Sequence, residues 1–138
     1  MSYKIILEQY AKAVLEKEVE GFMAIYDPIV NVYDTWNSWI KKDIEEIRSM
    51  ATEWFKSLGE EKVRVEFTEV NVLECESQTV WIGEVKFYGI NQEDQILRSI
   101  SNRWIWVIQN NDGIFKVIHE HSSLPIDTET FTGIVKTQ

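Results

Sequence analysis

Arg103-Trp104-Ile105-Trp106-Val107-Ile108, then Asn110-Asn111-Asp112-Gly113, then Ile114-Phe115-Lys116-Val117-Ile118-His119-Glu120-His121-Ser122-Ser123-Leu124-Pro125, is the stretch that decides the fold. Two apolar, aromatic-rich runs flank an Asp-Gly dipeptide, which predicts a β-hairpin. Each run also carries groups that an ordinary sheet does not need: Arg103 in one, His119 and His121 in the other. Burying such groups bare is costly, so they must be paired, hydrated or held in a cavity. The hairpin therefore points to an internal polar site.

Upstream, residues 3–26 read as helix. Ile6, Leu7, Tyr10, Val14, Val19, Phe22, Met23 and Tyr26 follow one apolar face, and Gly21 is a candidate break. Asp27-Pro28 ends that helix, and a short strand follows from Val30 to Asp34. A second helix spans 42–58, with Ile44, Ile47, Met50, Ala51, Trp54, Phe55 and Leu58 as its stripe and Gly59 as its stop. Strands are expected at 62–75, 79–90, 96–109 and 114–122, with a bulge near Thr68 where the apolar parity switches. Helices first and antiparallel strands after them predict an α+β fold, the helices packed on one face of a curved antiparallel sheet. One domain over 1–127 and a polar tail over 128–138 complete the division.

At 138 residues, with 44% hydrophobic and 12% aromatic content, the chain suffices for one domain with a real core. Its formal charge of −9 repels phosphate backbones and anionic lipid, so neither nucleic acid nor membrane is an expected partner. Cys75 stands alone, which excludes an internal disulfide and fits a reducing compartment. The N-terminal apolar segment is too short for a signal peptide, and no run approaches a membrane span. A cytoplasmic protein is the expectation.

The element order, together with Phe22-Met23-Ala24-Ile25-Tyr26-Asp27-Pro28, Val32-Tyr33-Asp34, Arg103-Trp104, Asp112-Gly113-Ile114-Phe115 and His119 to Pro125, resembles the nuclear transport factor 2-like superfamily. Within it the chain is similar to the SnoaL-like proteins and to the association domain of calcium/calmodulin-dependent protein kinase II. The resemblance covers about residues 3–127. It implies a cone-shaped, cystatin-like half-barrel with a pocket at its open end, and a homodimer through the outer face of the sheet. Apolar residues at both parities of 79–90 and 96–109 agree with a sheet covered on both faces.

A gap-free comparison with the ketosteroid isomerases of the same superfamily sets Tyr10 at their oxyanion-hole tyrosine and Asp34 at their general-base aspartate. Such a carboxylate removes a proton beside a carbonyl while a tyrosine O–H stabilises the enolate oxygen. Arg103 stands where those enzymes carry a further donor, and it has a counterpart in the pocket of the kinase association domain. A guanidinium fork suits a small carboxylate or an enolate-like anion. An internal Arg103–Asp34 or Arg103–glutamate pair is the other reading of the same residue. His119 and His121 share a strand face: one is expected at the pocket mouth, the other in a structural hydrogen bond, with Glu120 opposite them toward a subunit interface. Tyr33 and Trp36 border the pocket rim, and Trp39 is open to packing on the second helix. Trp81 is a candidate for the cavity wall.

No metal and no cofactor is expected, since two histidines lack further ligands and no phosphate loop or nucleophile constellation is present. Two functions are expected: a pocket protein for a small carboxylate or carbonyl compound with isomerase or lyase activity, or a non-catalytic association module. The sequence holds no attached catalytic domain, which favours the first.

Overall fold

Four buried residues, Ile6, Tyr10, Ala13 and Val14, form one stripe of the first helix, α1 (Lys4–Glu16), in the computed structural model, which describes residues 2–136. The break that the sequence suggests at Gly21 falls earlier. Lys17 takes the left-handed conformation, its N–H donates to the Val14 carbonyl, and Glu18 is extended. This turns α2 (Val19–Met23) so that Phe22 and Met23 face the core, with Gly21 inside the helix. Nor does helix continue to Tyr26. Strand β1 (Tyr26–Tyr33) already begins there and contains Asp27-Pro28, because Tyr26 pairs with Val117. Proline is tolerated since β1 is an edge strand.

Helix α3 (Ile44–Ser57) opens with a capping box: the Asp43 carboxylate accepts from the Glu46 N–H at 2.9 Å, and the Glu46 side chain accepts from the Asp43 N–H at 3.2 Å. Four long strands follow, β2 (Lys62–Glu74), β3 (Gln78–Ile90), β4 (Ile96–Asn111) and β5 (Ile114–Ser123). The fold is α+β: helices at the N-terminal end and a curved five-stranded sheet in the order β1-β5-β4-β3-β2. All pairs are antiparallel except β1 with β5, which is parallel. No hairpin ties those two strands, and the long connection between them permits the parallel direction.

Trp81 and Val85 of β3, Trp104, Trp106 and Ile108 of β4, and Val117 of β5 face the helices and are buried. Val80, Ile82, Ile105 and Val107 alternate with them and lie on the other face, partly exposed. The bulge in β2 sits between Glu69 and Asn71, two residues past Thr68, and leaves Val70 unpaired. The tail is not loose. Ile126 bridges Gly133, and Lys136 bridges Ser101 of β4. Residues 137–138 of the expected tail lie outside the described residues. Among the described residues, no helix is long and apolar enough to cross a membrane.

Gly83 of β3 pairs with Glu69, next to the β2 bulge. A Cβ there would collide with the Thr68 carbonyl oxygen and come within 2.6 Å of the Trp81 ring. Gly83→Ala is therefore expected to cost about 2–3 kcal/mol in urea unfolding, the scale of overpacking a filled core. A loss under about 0.5 kcal/mol, the level of an ordinary surface change, would show that this strand has room.

Candidate functional site

The site follows from one extra residue in β5. Ile108 pairs with Val117 and Val107 pairs with His119, so Ile118 is the bulged residue between them. Val117 faces the core, and without a bulge His119 would share its side. Beyond the bulge the parity is reversed: Glu120 and Ser122 point inward with Trp106 and Trp104, while His119 and His121 pair with outward-facing Val107 and Ile105. This corrects the sequence expectation on both counts. Neither histidine faces the interior, and Glu120 does.

Inside lies a cavity of about 680 Å³ between α1, α3 and the sheet. Its walls are largely aromatic, from Phe22, Trp36, Trp54, Phe87 and Trp104, and its polar groups include Tyr10, Asp34, Asn102 and Glu120. Glu120 is only 6% exposed, and its Oε1 accepts from the Tyr26 hydroxyl at 2.6 Å and from Trp106 Nε1 at 2.7 Å. Burial pushes its carboxyl up to about 7, against the opposing pull of those two hydrogen bonds, with the nearby Asp34 charge adding to the rise. Tyr10 reaches the cavity from the buried face of α1, its ring 5.2 Å from Phe22 and 5.3 Å from Trp106. Burial, then the charges of Glu120 and Asp34, hold its phenol well above the ordinary range, so it remains an O–H donor. Among the described residues, no hydrogen bond occupies that hydroxyl.

Asp34 follows directly after β1. Its Oδ2 meets Lys42 Nζ at 3.4 Å and its Oδ1 accepts from Ser122 Oγ at 3.3 Å. Lys42 is placed by a backbone bridge to Val32, with N–H···O distances of 2.8 and 3.0 Å. Asn102 Nδ2 donates to Thr35 Oγ1, which in turn donates to Ser122 Oγ. The structure thus brings together Tyr10, Asp34 and Trp36 of the expected site and adds Glu120, Asn102 and Lys42.

It does not bring in the others. Arg103 lies on the outer face, exposed, with Nε donating to Ser123 Oγ at 3.0 Å, and Asp34 is paired with Lys42 instead. Tyr33, His119 and His121 form an aromatic group on that outer face, with Tyr33 centroids 6.1 and 5.4 Å from the two imidazoles. His119 Nδ1 donates to the Asn31 carbonyl at 3.1 Å; burial, foremost, lowers its pKa, so the ring is neutral at neutral pH. Trp39 is 96% exposed and does not pack on α3, whereas Trp81 is fully buried in the core. Among the described residues, no three His, Cys, Asp or Glu side chains are grouped to hold a metal ion. One signal for Glu120 was available in the sequence: buried Trp106 and Tyr26 need an acceptor for their N–H and O–H.

Residues 4–127 match the SnoaL-like domain family. No curated protein matches the chain by sequence. Among solved structures, an NTF2-like protein of unknown function from Pseudomonas putida is similar at TM-score 0.78 and 17% identity, over 98% of this chain and 92% of that one. The Aln2 protein of a Streptomyces species is similar at TM-score 0.73 and 10% identity, over 87% and 85%. A candidate calcium/calmodulin-dependent protein kinase II association domain from Xanthomonas campestris is similar at TM-score 0.64 and 17% identity, over 86% and 81%. Identities this low speak for the fold alone.

Glu120 links the site to stability. Its carboxyl binds a proton more tightly in the folded protein than the 4.5 of an ordinary glutamate, so its ionisation opposes folding as pH rises from about 5 through about 7. A displacement of that size corresponds to about 3 kcal/mol. Glu120→Gln keeps an Oε1 for Tyr26 and Trp106. Urea unfolding should find wild type and mutant closest near pH 5, with the mutant gaining progressively up to about pH 8. A difference independent of pH would show that Glu120 ionises freely.

Proposed function

This chain belongs to the SnoaL-like domain family, whose members often bind ligands or catalyse reactions, and on that premise we propose that its cavity binds a small, mostly apolar carbonyl compound and moves a proton on it. What carries the reading is the pair of unlike carboxyl groups on one aromatic cavity: Asp34, paired with Lys42, and Glu120, dry and titrating about 7. Carboxyls in contrasting environments divide the roles of base and acid. Asp34 accepts the proton from the carbon beside the carbonyl. Tyr10 and protonated Glu120 donate hydrogen bonds to the carbonyl oxygen as charge develops on it. The outcome is enolate chemistry of isomerase or lyase type.

A neutral carbonyl compound is favoured over a carboxylate. With Arg103 outside, Arg98 is the cation among the described residues that line the cavity, and it is paired with Glu61, while Lys42 is paired with Asp34. The test is hydrogen–deuterium exchange at the α-carbon of a cyclic ketone, followed by NMR. Wild type should accelerate exchange, and Asp34→Asn should remove roughly 10²–10⁴-fold of that rate, the usual weight of a general base. Tyr10→Phe should lower the rate with binding retained. Because Glu120 must be protonated, the rate should decline above about pH 7. Exchange no faster than in buffer would overturn the reading.

The outer face supports a partner proposal as well: a second copy of this chain. Ile105 is 39% exposed and Tyr33 42%, beside Val80, Ile82 and Val107, and a sheet apolar on this side calls for a cover. Wild type should sediment at twice the 16.3 kDa chain mass, and Ile105→Glu should be monomeric. A monomeric wild type would remove the dimer. A ring of many copies would favour the association reading over catalysis.

A further inference from the structure

A second depression, of about 410 Å³, adjoins the cavity where β5 ends and the tail turns back. Trp36 stands in the wall of both. Ser122, on the floor of the second, is hydrogen-bonded to Asp34 of the first. The two depressions therefore share Trp36 as a common wall. From this continuity, and resting on the carbonyl reading above, we infer that the ligand is elongated: its carbonyl head lies in the cavity, and an aliphatic chain runs past Trp36 into the groove of Leu124, Ile126 and Gly133.

The chemistry of the groove selects that chain. Two of its three hydroxyls already donate within the protein: Thr35 Oγ1 donates to Ser122 Oγ at 2.9 Å and accepts from Asn102 Nδ2 at 3.2 Å. Ser122 Oγ donates to Asp34, and Ser123 Oγ accepts from Arg103 Nε. Among the described residues, no charged side chain lines the groove. What it offers is carbon, from Leu124, from Ile126 at 58% exposure and from the Trp36 indole. Among the described residues, an ionic extension would find no counter-charge there and a hydroxylated one only the Ser123 hydroxyl hydrogen, whereas a hydrocarbon loses water at little polar expense.

The far wall is built rather than loose. The Ile134 N–H donates to the Pro125 carbonyl at 2.8 Å, and Asp127 N–H donates to the Thr132 carbonyl at 2.8 Å. Ser101 N–H donates to the Lys136 carbonyl at 3.0 Å, and Lys136 Nζ reaches Glu84 at 3.2 Å. These bonds hold Gly133 across the groove from β5.

The test is a series of cyclohexanones alkylated opposite the carbonyl, from methyl to hexyl, titrated by calorimetry. For wild type, each added methylene should tighten Kd roughly threefold to fourfold until the groove is full. Gly133→Trp fills the groove, and its Cβ meets only Leu124 Cδ1, at 3.7 Å. It should bind the methyl compound as wild type does and show no gain along the series. Ile126→Asp, on the same wall, should flatten the series too if the tryptophan variant does not fold. A flat series in wild type, or one that climbs equally in the groove variants, overturns the inference while leaving the cavity reading intact. Failure to bind even the methyl compound overturns both.

Discussion

The bulge at Ile118 is the constraint on which the interior depends. It inserts one residue at the strand that joins β1 to the rest of the sheet, and every side chain after it changes face. Glu120 then arrives between Tyr26 and Trp106, whose buried O–H and N–H both require an acceptor. Ser122 arrives beside Asp34 and Thr35, and the two imidazoles are carried to the opposite side. Removing that single extra residue would reverse the assignment of polar and apolar faces over the second half of β5.

This also explains how far the chain could be read without coordinates. The hairpin at Asp112-Gly113, the stripes of α1 and α3 and the bounds of the four long strands follow from spacing, because burial imposes periods of 3.6 and 2 on the residues that meet the core. Tyr10, Asp34 and Trp36, whose positions a family resemblance carried, line the cavity. Arg103, His119 and His121 do not, since their side of the sheet depends on a count of residues across a ladder rather than on their chemistry. The same holds for Lys17: nothing in a lysine announces a left-handed turn, and the break there answers to where α2 must lay Phe22 and Met23. Lys42, in the connection between β1 and α3, reaches Asp34 through a backbone bridge that no side-chain pattern records.

The interior is built against stability. It keeps a carboxyl dry and leaves a hollow between α3 and the sheet, and the indole N–H groups of Trp81 and Trp104 have no acceptor among the described residues. Each unpaired buried donor costs about 1–3 kcal/mol. The aromatic ring cluster around Trp106, with Tyr10, Phe67, Trp81 and Trp104 at centroid distances of 5.3 to 6.4 Å, is what offsets these losses. Such a balance is characteristic of a protein whose core serves as the lining of a chamber.

The two rims of the sheet share a different property. On β1, Pro28 has no N–H to offer, and on β2 the unpaired Val70 interrupts the row of outward-directed backbone groups, flanked by Glu69 and Asn71. A foreign strand laid along either rim would lose register within a few residues. The sheet thus has two ends but no growing point.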